Sequence, residues 1–366
     1  MADPIKVMLV DDSAVVRGLM SRALKADPNI EIVATASDGE MAIKVLQQHT
    51  IDVILLDIEM PVMDGLTALP RLIELSPCTH VIMASSLTQR NAEISMKAIE
   101  MGATDYVPKP TSRGDAGAID DFYEELRTKV LALGPKAQQA RQAGTVVLKP
   151  ATIAKDVEAQ AATAPVPSPT KRIDAIAIAS STGGPQALSV VLSHIKDAVH
   201  NVPVFITQHM PATFTQMLAE HLSRDTGITC MEAADDQAIE NSKVYIAPGD
   251  FHMTIVGEAS APKIKLSQEP PVNFCRPAAD PMFESLVQLY GDNLLVLVLT
   301  GMGSDGLKGA GLAKEAGATI VVQDEASSVV WGMPGAIANA GLATHVLPLA
   351  NIAAFINESL GGKNAA

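Results

Sequence analysis

The sequence has few cysteines, a deficit of basic residues and no long hydrophobic run. Its three cysteines, Cys78, Cys230 and Cys275, lack metal-type spacing, so we expect reduced thiols in a cytoplasmic protein. The 27 basic side chains face 41 acidic ones, and the resulting net charge of −14 argues against a nucleic-acid partner. No apolar run approaches the roughly 18 residues of a membrane span, and the first residues lack the apolar core of a signal peptide. We therefore expect no direct membrane insertion.

Apolar runs alternate with amphipathic stretches in both halves of the chain, which predicts parallel sheets covered by helices. Between the halves, a stretch rich in Ala, Gln, Pro and Thr predicts a flexible linker. The predicted domains are 1–134 and 172–366, joined by a linker over 135–171. The strands predicted are 5–10, 30–36, 52–57, 80–85 and 105–110, then 173–180, 202–209, 242–249, 294–300 and 318–324. The helices predicted in the first half are 14–26, 39–49, 65–75, 90–101 and 116–133.

Polar residues stand where strands of the first half end. Asp11 and Asp12 follow the first strand, Asp57 ends the third, Ser85 ends the fourth and Lys109 lies at the end of the fifth. Neighbouring carboxylates repel one another unless a cation is present, and a hard divalent ion such as Mg²⁺ fits them. With the hydroxyl and the ammonium, this set suits capture of a phosphoryl group by a carboxylate. The alternative is that an aspartate caps a helix and the lysine is an ordinary surface residue.

The segments "MLVDDS", "LLDIEMPVMDGL", "MASS" and "DYVPKP" resemble a response-regulator receiver domain over about residues 4–130. The resemblance implies a flavodoxin-like fold with a five-stranded parallel sheet, and it assigns the phospho-acceptor role to Asp57. The residues that it assigns to Mg²⁺ are Asp11, Asp12, Asp57 and the backbone carbonyl of Glu59. Those that it assigns to sensing the phosphoryl group are Ser85, Lys109 and the switch aromatic Tyr106.

In the second half, "ASSTG" (179–183) is one residue away from the nucleophile-elbow pattern G-x-S-x-G. Ser181 would lie on the sharp turn between a strand and a helix. A serine needs a base, and His209 ends the next strand; a histidine base needs a carboxylate, which Asp305 supplies from a glycine-rich loop. The order Ser, His, Asp differs from that of α/β-hydrolases, so that fold is not favoured.

Other interpretations of the same residues stay open at this point. A lone histidine is usually structural, and an Asp followed by Gly, as at Asp305, is usually part of a turn. The stretch "ASSTGGPQ" would also suit a phosphate-binding loop before a helix. It lacks G-x-G-x-x-G and a P-loop lysine, and Gln208-His209 stand where a dinucleotide fold places an acidic residue. These differences favour catalysis over nucleotide binding.

The segments "IASSTGGPQAL", "ITQHMPATFT", "YIAPGDFHM", "RPAADPMFESL", "LTGMGSDG" and "VVQDEASSVVWGMPGAI" resemble the catalytic domain of chemotaxis protein-glutamate methylesterases over about 172–360. The resemblance implies a doubly wound α/β domain. It assigns the nucleophile to Ser181 and the other triad positions to His209 and Asp305. The Met302 amide becomes the oxyanion donor, with Thr182 and Gly183 shaping the turn. The departures from the family pattern are Ala179 for Gly, Ser180 for Ala, and Cys275 where histidine is common.

The resemblance implies a phosphorylation-activated serine esterase that hydrolyses glutamyl methyl esters on chemoreceptor helices, with deamidation of receptor glutamines as a second activity. Its partners would be methyl-accepting chemoreceptors and, as phosphodonor, a chemotaxis histidine kinase. Mg²⁺ would serve the receiver domain, and the esterase chemistry would need no cofactor. The alternative from another class is a response regulator whose second half only binds a partner or a nucleotide.

Overall fold

The computed structural model of the chain describes residues 3–86, 88–109, 116–144, 171–196, 198–258 and 260–361. The chain divides into two compact units, Met1–Lys149 and Pro150–Ala366. The division falls inside the predicted linker, of which residues 145–170 lie outside the described part. Within the described residues, no helix has the length and apolar character needed to cross a membrane.

The first unit contains a five-stranded parallel sheet in the order β2-β1-β3-β4-β5, as the receiver resemblance implies. Its strands are β1 (Ile5–Val10), β2 (Ile30–Ala36), β3 (Val53–Asp57), β4 (His80–Ser85) and β5 (Asp105–Pro108). Its helices are α1 (Ala14–Lys25), α2 (Gly39–Leu46), α3 (Gly65–Leu75), α4 (Gln89–Glu100) and α5 (Ala116–Ala143). The first four helices begin at polar residues whose side chains accept a first-turn N–H, which fixes their starts. These N-cap residues are Ser13, Asp38, Asp64 and Thr88.

The last helix of the first unit, α5, is longer than the sequence predicts. We expect its end at residue 133 because Gly134-Pro135 usually terminates a helix, whereas the helix continues to Ala143. The Gln138 amide donates to Asp52 Oδ2 at 3.1 Å, and Arg141 lies 2.8 Å from Asp52 Oδ1. These contacts with a buried carboxylate at the start of β3 stabilise the additional turns.

The second unit contains a seven-stranded sheet in the order β14-β13-β12-β6-β7-β9-β8, with every neighbouring pair parallel. Its strands are β6 (Ala175–Ser180), β7 (Val204–Gln208), β8 (Thr229–Glu232), β9 (Lys243–Ile246), β12 (Leu294–Val298), β13 (Thr319–Gln323) and β14 (His345–Leu347); β10 (His252–Val256) and β11 (Lys263–Ser267) form a separate antiparallel pair. The helices are α6 (Gly184–Ser193), α7 (Ala212–Thr226), α8 (Ala279–Tyr290), α9 (Leu307–Glu315), α10 (Met333–Asn339) and α11 (Leu349–Gly361). Short 3₁₀ turns cover Ala198–Asn201 and Gly291–Asn293.

In each sheet, the strand order reverses at one point. The chain proceeds from β1 to one side through β2 and to the other through β3, and likewise from β6 through β7 and through β12. Loops that follow the two strands at such a point diverge and leave a crevice at the carboxyl ends, where ligands of α/β sheets bind. The fully buried strands β3, β6 and β12 hold these loop ends in fixed positions. Asp11, Asp12 and Asp57 lie at or after the ends of the first such pair of strands, and Ser181 and Asp305 follow the second pair.

Candidate active site

Ser181 lies on a tight turn between β6 and α6. Its N–H donates to Thr300 O at 3.0 Å, and its carbonyl accepts from Gly184 N at 2.7 Å. Gly183 has φ of 77°, a left-handed conformation that glycine adopts without strain. The loop after β12 passes close by, since a Cβ on Gly301 would lie 2.9 Å from the Cβ of Ser181. The small residues on both sides therefore allow the two loops to meet at Ser181.

The two neighbouring serines have different surroundings. Ser180 is completely buried, and its hydroxyl donates to Gln208 Oε1 at 2.6 Å. The Gln208 amide in turn donates to the Ser181 carbonyl at 3.0 Å. Ser181 is partly exposed. Only the Ser181 hydroxyl is therefore accessible to a substrate, whereas Ser180 belongs to a hydrogen-bonded frame beneath the turn.

His209 and Asp305 meet as the sequence predicts. His209 Nε2 lies 2.8 Å from Asp305 Oδ2, which also accepts from the Ala279 N–H at 2.6 Å. The other oxygen, Oδ1, accepts from Asn273 Nδ2 at 2.9 Å. On the opposite edge of the imidazole, Nδ1 lies 3.5 Å from Cys275 Sγ. Asp305 therefore fixes the imidazole through Nε2, whereas Nδ1, which contacts the Cys275 thiol, is the nitrogen that can exchange a proton with a substrate or a nucleophile.

The environment favours the charged forms of this pair. Burial lowers the pKa of His209, but hydrogen bonds with Asp305 and Cys275 outweigh it, so the pKa rises from 6.5 to about 10. Burial raises the pKa of Asp305, yet the bonds from His209, Ala279 and Asn273 lower it on balance. Asp305 thus stays ionised and attracts a proton to the imidazole. A hydrogen bond between Ser181 Oγ and His209 is not among the contacts of the described residues.

The remaining predicted residues of this half lie around the same turn. Thr182 is buried, and its hydroxyl lies 3.4 Å from Met302 Sδ. Met302 follows Gly301 in the loop that touches Ser181, and it is partly exposed. Because β12 and β7 flank β6 on opposite sides, the loop that carries the Met302 amide approaches Ser181 from the side opposite the strand that ends at Gln208.

Three polar residues at the site escaped the sequence analysis as functional candidates. Gln208 links Ser180 to the Ser181 carbonyl, as described above. Asn273 Nδ2 bridges two buried carboxylates, because it also lies 2.9 Å from Asp280 Oδ2. Burial and the nearby Asp305 raise the pKa of Asp280, which also accepts from Gly309 N at 2.7 Å. The one local signal was position, since Gln208 ends a strand beside His209 and Asn273 lies shortly before "RPAADP".

In the first unit, Lys109 joins the predicted carboxylates. Its Nζ lies 2.6 Å from Asp57 Oδ1 and 2.6 Å from Asp11 Oδ2. Burial raises the pKa of Asp57, as does the charge of Asp11, whereas Lys109 opposes them. Ser13, not Asp11 or Asp12, is the N-cap residue of α1. Neither aspartate caps α1, so the helix-capping alternative is wrong.

The donor atoms near Asp57 suit a hard divalent cation. Carboxylate oxygens of Asp11, Asp12 and Asp57 all lie within 4.8 Å of one another, and oxygen is the ligand that Mg²⁺ prefers. Glu59 follows β3 by two residues and has an exposed side chain, in keeping with a role for its backbone only. The three carboxylates thus fit the metal that the receiver resemblance implies.

The other two predicted sensing residues, Ser85 and Tyr106, are buried. Ser85 ends β4, next to β3, and its hydroxyl accepts a hydrogen bond from Ser95 at 3.0 Å. Tyr106 lies in β5 with the Lys129 ammonium 5.1 Å from its ring centre. Burial raises the pKa of Tyr106 well above its ordinary value of 10, so this phenol stays neutral. Both residues flank the strand ends that carry Asp57 and Lys109.

Comparisons with known proteins agree with both halves of this arrangement. The family model for the CheB methylesterase matches residues 176–356, and that for the response regulator receiver domain matches 7–117. A protein-glutamate methylesterase/protein-glutamine glutaminase from Azospirillum brasilense is 50% identical over 97% of this chain and 93% of its own length. A group 2 operon protein of the same name from Rhodospirillum centenum is 48% identical over 98% of this chain and 94% of its own length. The crystal structure of the Thermotoga maritima CheB methylesterase catalytic domain has 34% identity and a TM-score of 0.49, covering 51% of this chain and 99% of that one. With half of its residues shared along nearly its full length, the chain belongs to the CheB methylesterase family and carries that family's receiver domain.

Proposed function

We propose that this chain is a phosphorylation-activated serine esterase that hydrolyses glutamyl methyl esters of proteins to glutamate and methanol. The observation that carries the proposal is the 2.8 Å bond between His209 Nε2 and Asp305 Oδ2, near the turn that holds the partly exposed Ser181. The names of the relatives that match over nearly the full chain support the same reaction and add glutamine deamidation. The proposed domains are the receiver at 1–134, the linker at 135–171 and the esterase at 172–366.

In the proposed reaction, Ser181 Oγ attacks the ester carbonyl while its proton moves to Nδ1 of His209. Asp305 stabilises the imidazolium that forms and holds the ring in one orientation. The tetrahedral intermediate expels methanol, which takes the proton from His209, and an acyl-enzyme remains. A water molecule then gives a proton to His209 and attacks the acyl carbon. Glutamate leaves as Ser181 regains the proton.

The oxyanion of both tetrahedral intermediates needs a fixed donor. We assign this role to the Met302 amide, which lies in the loop that touches Ser181 through Gly301. A backbone N–H that is already in position stabilises the developing charge without a reorganisation cost. Thr182 and Gly183 keep the turn shape that brings the nucleophile to this loop.

The first unit would supply control. Asp57 would accept a phosphoryl group from a chemotaxis histidine kinase, with Mg²⁺ held by Asp11, Asp12, Asp57 and the carbonyl of Glu59. When bound, the metal neutralises negative charge on the phosphoryl oxygens. Lys109 would contribute a second positive charge. Ser85 and Tyr106 would respond to the modified aspartate, in the manner of an ordered switch segment.

The proposed substrate is a methylated helix of a methyl-accepting chemoreceptor, reached from the cytoplasm. Methanol release from methylated receptor membranes, with and without a small phosphodonor, tests the whole proposal. We expect release by the parent, faster release with the donor, and none by Ser181→Ala. Labelling of Ser181 by a fluorophosphonate separates an esterase from a protein that only binds a partner. A parent that neither reacts with the probe nor releases methanol would refute the proposal.

A further inference from the structure

A two-residue turn at 273–274 stands beside the candidate triad. Val272 N donates to Cys275 O at 3.0 Å, and Cys275 N donates to Val272 O at 2.9 Å. Both central residues are left-handed, with φ of 52° at Asn273 and 63° at Phe274. This is the pattern of a type I′ turn, in which glycine is preferred at the second central position. Phenylalanine there is strained, because its Cβ crowds the backbone.

The turn is attached to the catalytic pair on both sides of Phe274. Asn273 Nδ2 donates to Asp305 Oδ1 at 2.9 Å. Cys275 Sγ lies 3.5 Å from His209 Nδ1, the nitrogen proposed as the base. The Arg276 guanidinium, which donates to Gln268 O and Glu269 O at 3.2 and 3.1 Å, stabilises the base of the turn. The position of the phenyl ring is therefore set by residues that contact the triad.

The Phe274 ring makes no packing contact within the described residues. Phe274 has a relative exposure of 102%, the highest among the large hydrophobic side chains described, of which Val62 follows at 79%. A glycine would give the same turn without strain, and Asn273 alone would hold it to Asp305. Neither the conformation nor the packing of the free protein explains an aromatic residue here. Exposed aromatic rings on a rigid support are typical contact residues of protein interfaces.

We propose that Phe274 is a substrate-contacting residue, which packs on the polypeptide that presents the glutamyl ester to Ser181. This inference rests on the proposed function, and it narrows the substrate to a chain with an apolar side chain close to the reacting one. On a helix, residues three or four positions apart lie side by side, so an aliphatic residue one turn away would meet the ring. The free ester side chain alone would make no use of it.

The test compares Phe274→Ala, Phe274→Gly and Phe274→Leu with the parent and with Val346→Ala. Val346 is a half-exposed apolar residue on the edge strand β14, three strands from β6. With methylated receptor membranes and a phosphodonor, we expect KM to rise on the order of tenfold for Ala and Gly while kcat is retained. The rate at which a fluorophosphonate labels Ser181 should stay within about twofold, as for a residue outside the reacting groups. Leu should restore most of the affinity, and Val346→Ala should behave as the parent.

The Phe274→Gly variant loses the ring and the backbone strain together. A raised KM in this variant therefore cannot be attributed to a distorted turn. An unchanged KM in both Phe274→Ala and Phe274→Gly would overturn the inference while leaving the proposed function intact. Slower labelling of Ser181 in proportion to lost turnover would also overturn it, because the ring would then support the triad. Faster labelling of a Phe274 variant without phosphodonor would also overturn it, because the ring would then restrain the esterase instead of binding substrate. A parent that releases no methanol would refute the proposed function, and this inference with it.

Discussion

Substitutions of the neighbouring Ser180 and Ser181 should affect different properties, namely thermal stability for Ser180 and catalysis for Ser181. Ser180→Ala removes the donor to Gln208 Oε1, and Gln208 is only 2% exposed, so water cannot replace the hydroxyl. The Gln208 side chain has no space to move towards another partner, because Gly184 packs closely against it. A Cβ on Gly184 would lie 2.1 Å from Gln208 Oε1. A buried acceptor that loses its partner costs about 1–3 kcal/mol. For a unit of this size, that corresponds to a fall in Tm of roughly 2–12 °C.

Ser181→Ala should do the reverse. Its hydroxyl is partly exposed and makes no hydrogen bond among the described contacts, so we expect Tm within about 2 °C of the parent, as for an ordinary surface substitution. Methanol release, however, should disappear, because the nucleophile is gone. Ser180→Ala should keep most of the turnover below its own Tm. Phosphorylation of Asp57 should be the same in both variants.

The chain offers a convenient assay. Trp331 is its only tryptophan and lies in the second unit, where its indole N–H donates to Gln323 O at 2.9 Å. Tryptophan fluorescence during heating therefore follows the esterase half of the full chain. Ser193→Ala, an exposed serine on α6, is the matched control and should melt like the parent. Parental Tm in Ser180→Ala would refute the role of the Gln208 frame, and activity in Ser181→Ala would refute the choice of nucleophile.

Three further predictions concern the base and the control unit. Asp305→Asn should lower kcat on the order of 10⁴-fold, by analogy with a serine protease, and should move the acid limb of the pH–rate profile below that of the parent. In the parent that limb should lie above pH 6.5, since the raised pKa of His209 keeps the base protonated and inactive until the pH rises; a limb at or below 6.5 contradicts this reasoning. Chelation of Mg²⁺ should prevent phosphorylation of Asp57 by a small donor yet leave basal hydrolysis unchanged, and Asp57→Asn should ignore the donor. A fragment of residues 172–366 should hydrolyse a soluble ester faster than the unphosphorylated parent; an equal rate favours recruitment over restraint as the role of the receiver.

Residues that end strands were the most predictable part of both sites. Asp57, Ser181 and His209 each stand at or just after the end of a buried strand, and the carboxyl ends of parallel strands share one edge of a sheet. The alternation of strands and helices in the sequence therefore indicates that these residues lie near one another. Asp305 was found by its glycine-rich loop, because a turn after a strand leads back to the same edge.

The supporting residues were not predictable in this way. Asn273 reaches Asp305 across 32 positions in the sequence, and Ser180 reaches Gln208 across 28. Side-chain bonds between distant segments leave no periodicity or spacing to detect. The extension of α5 beyond Pro135 was not predicted for a similar reason. The bonds that Gln138 and Arg141 make to Asp52 span 86 and 89 positions in the sequence. Local propensity favoured an end to the helix, and tertiary contacts prevailed.

The division of the chain has a consequence for its evolution and for engineering. The residues proposed to accept the phosphoryl group lie within 11–109 and those proposed for the esterase lie within 181–305, so each proposed set falls inside one unit. An exchange of the first unit for a receiver from another signalling system would leave every esterase residue in place. The resulting hybrid would keep the proposed catalytic residues, and it would answer to a different kinase where the new receiver acts on the second unit as the old one does. Recombination between the units is therefore a route to new inputs that leaves the catalytic residues unchanged.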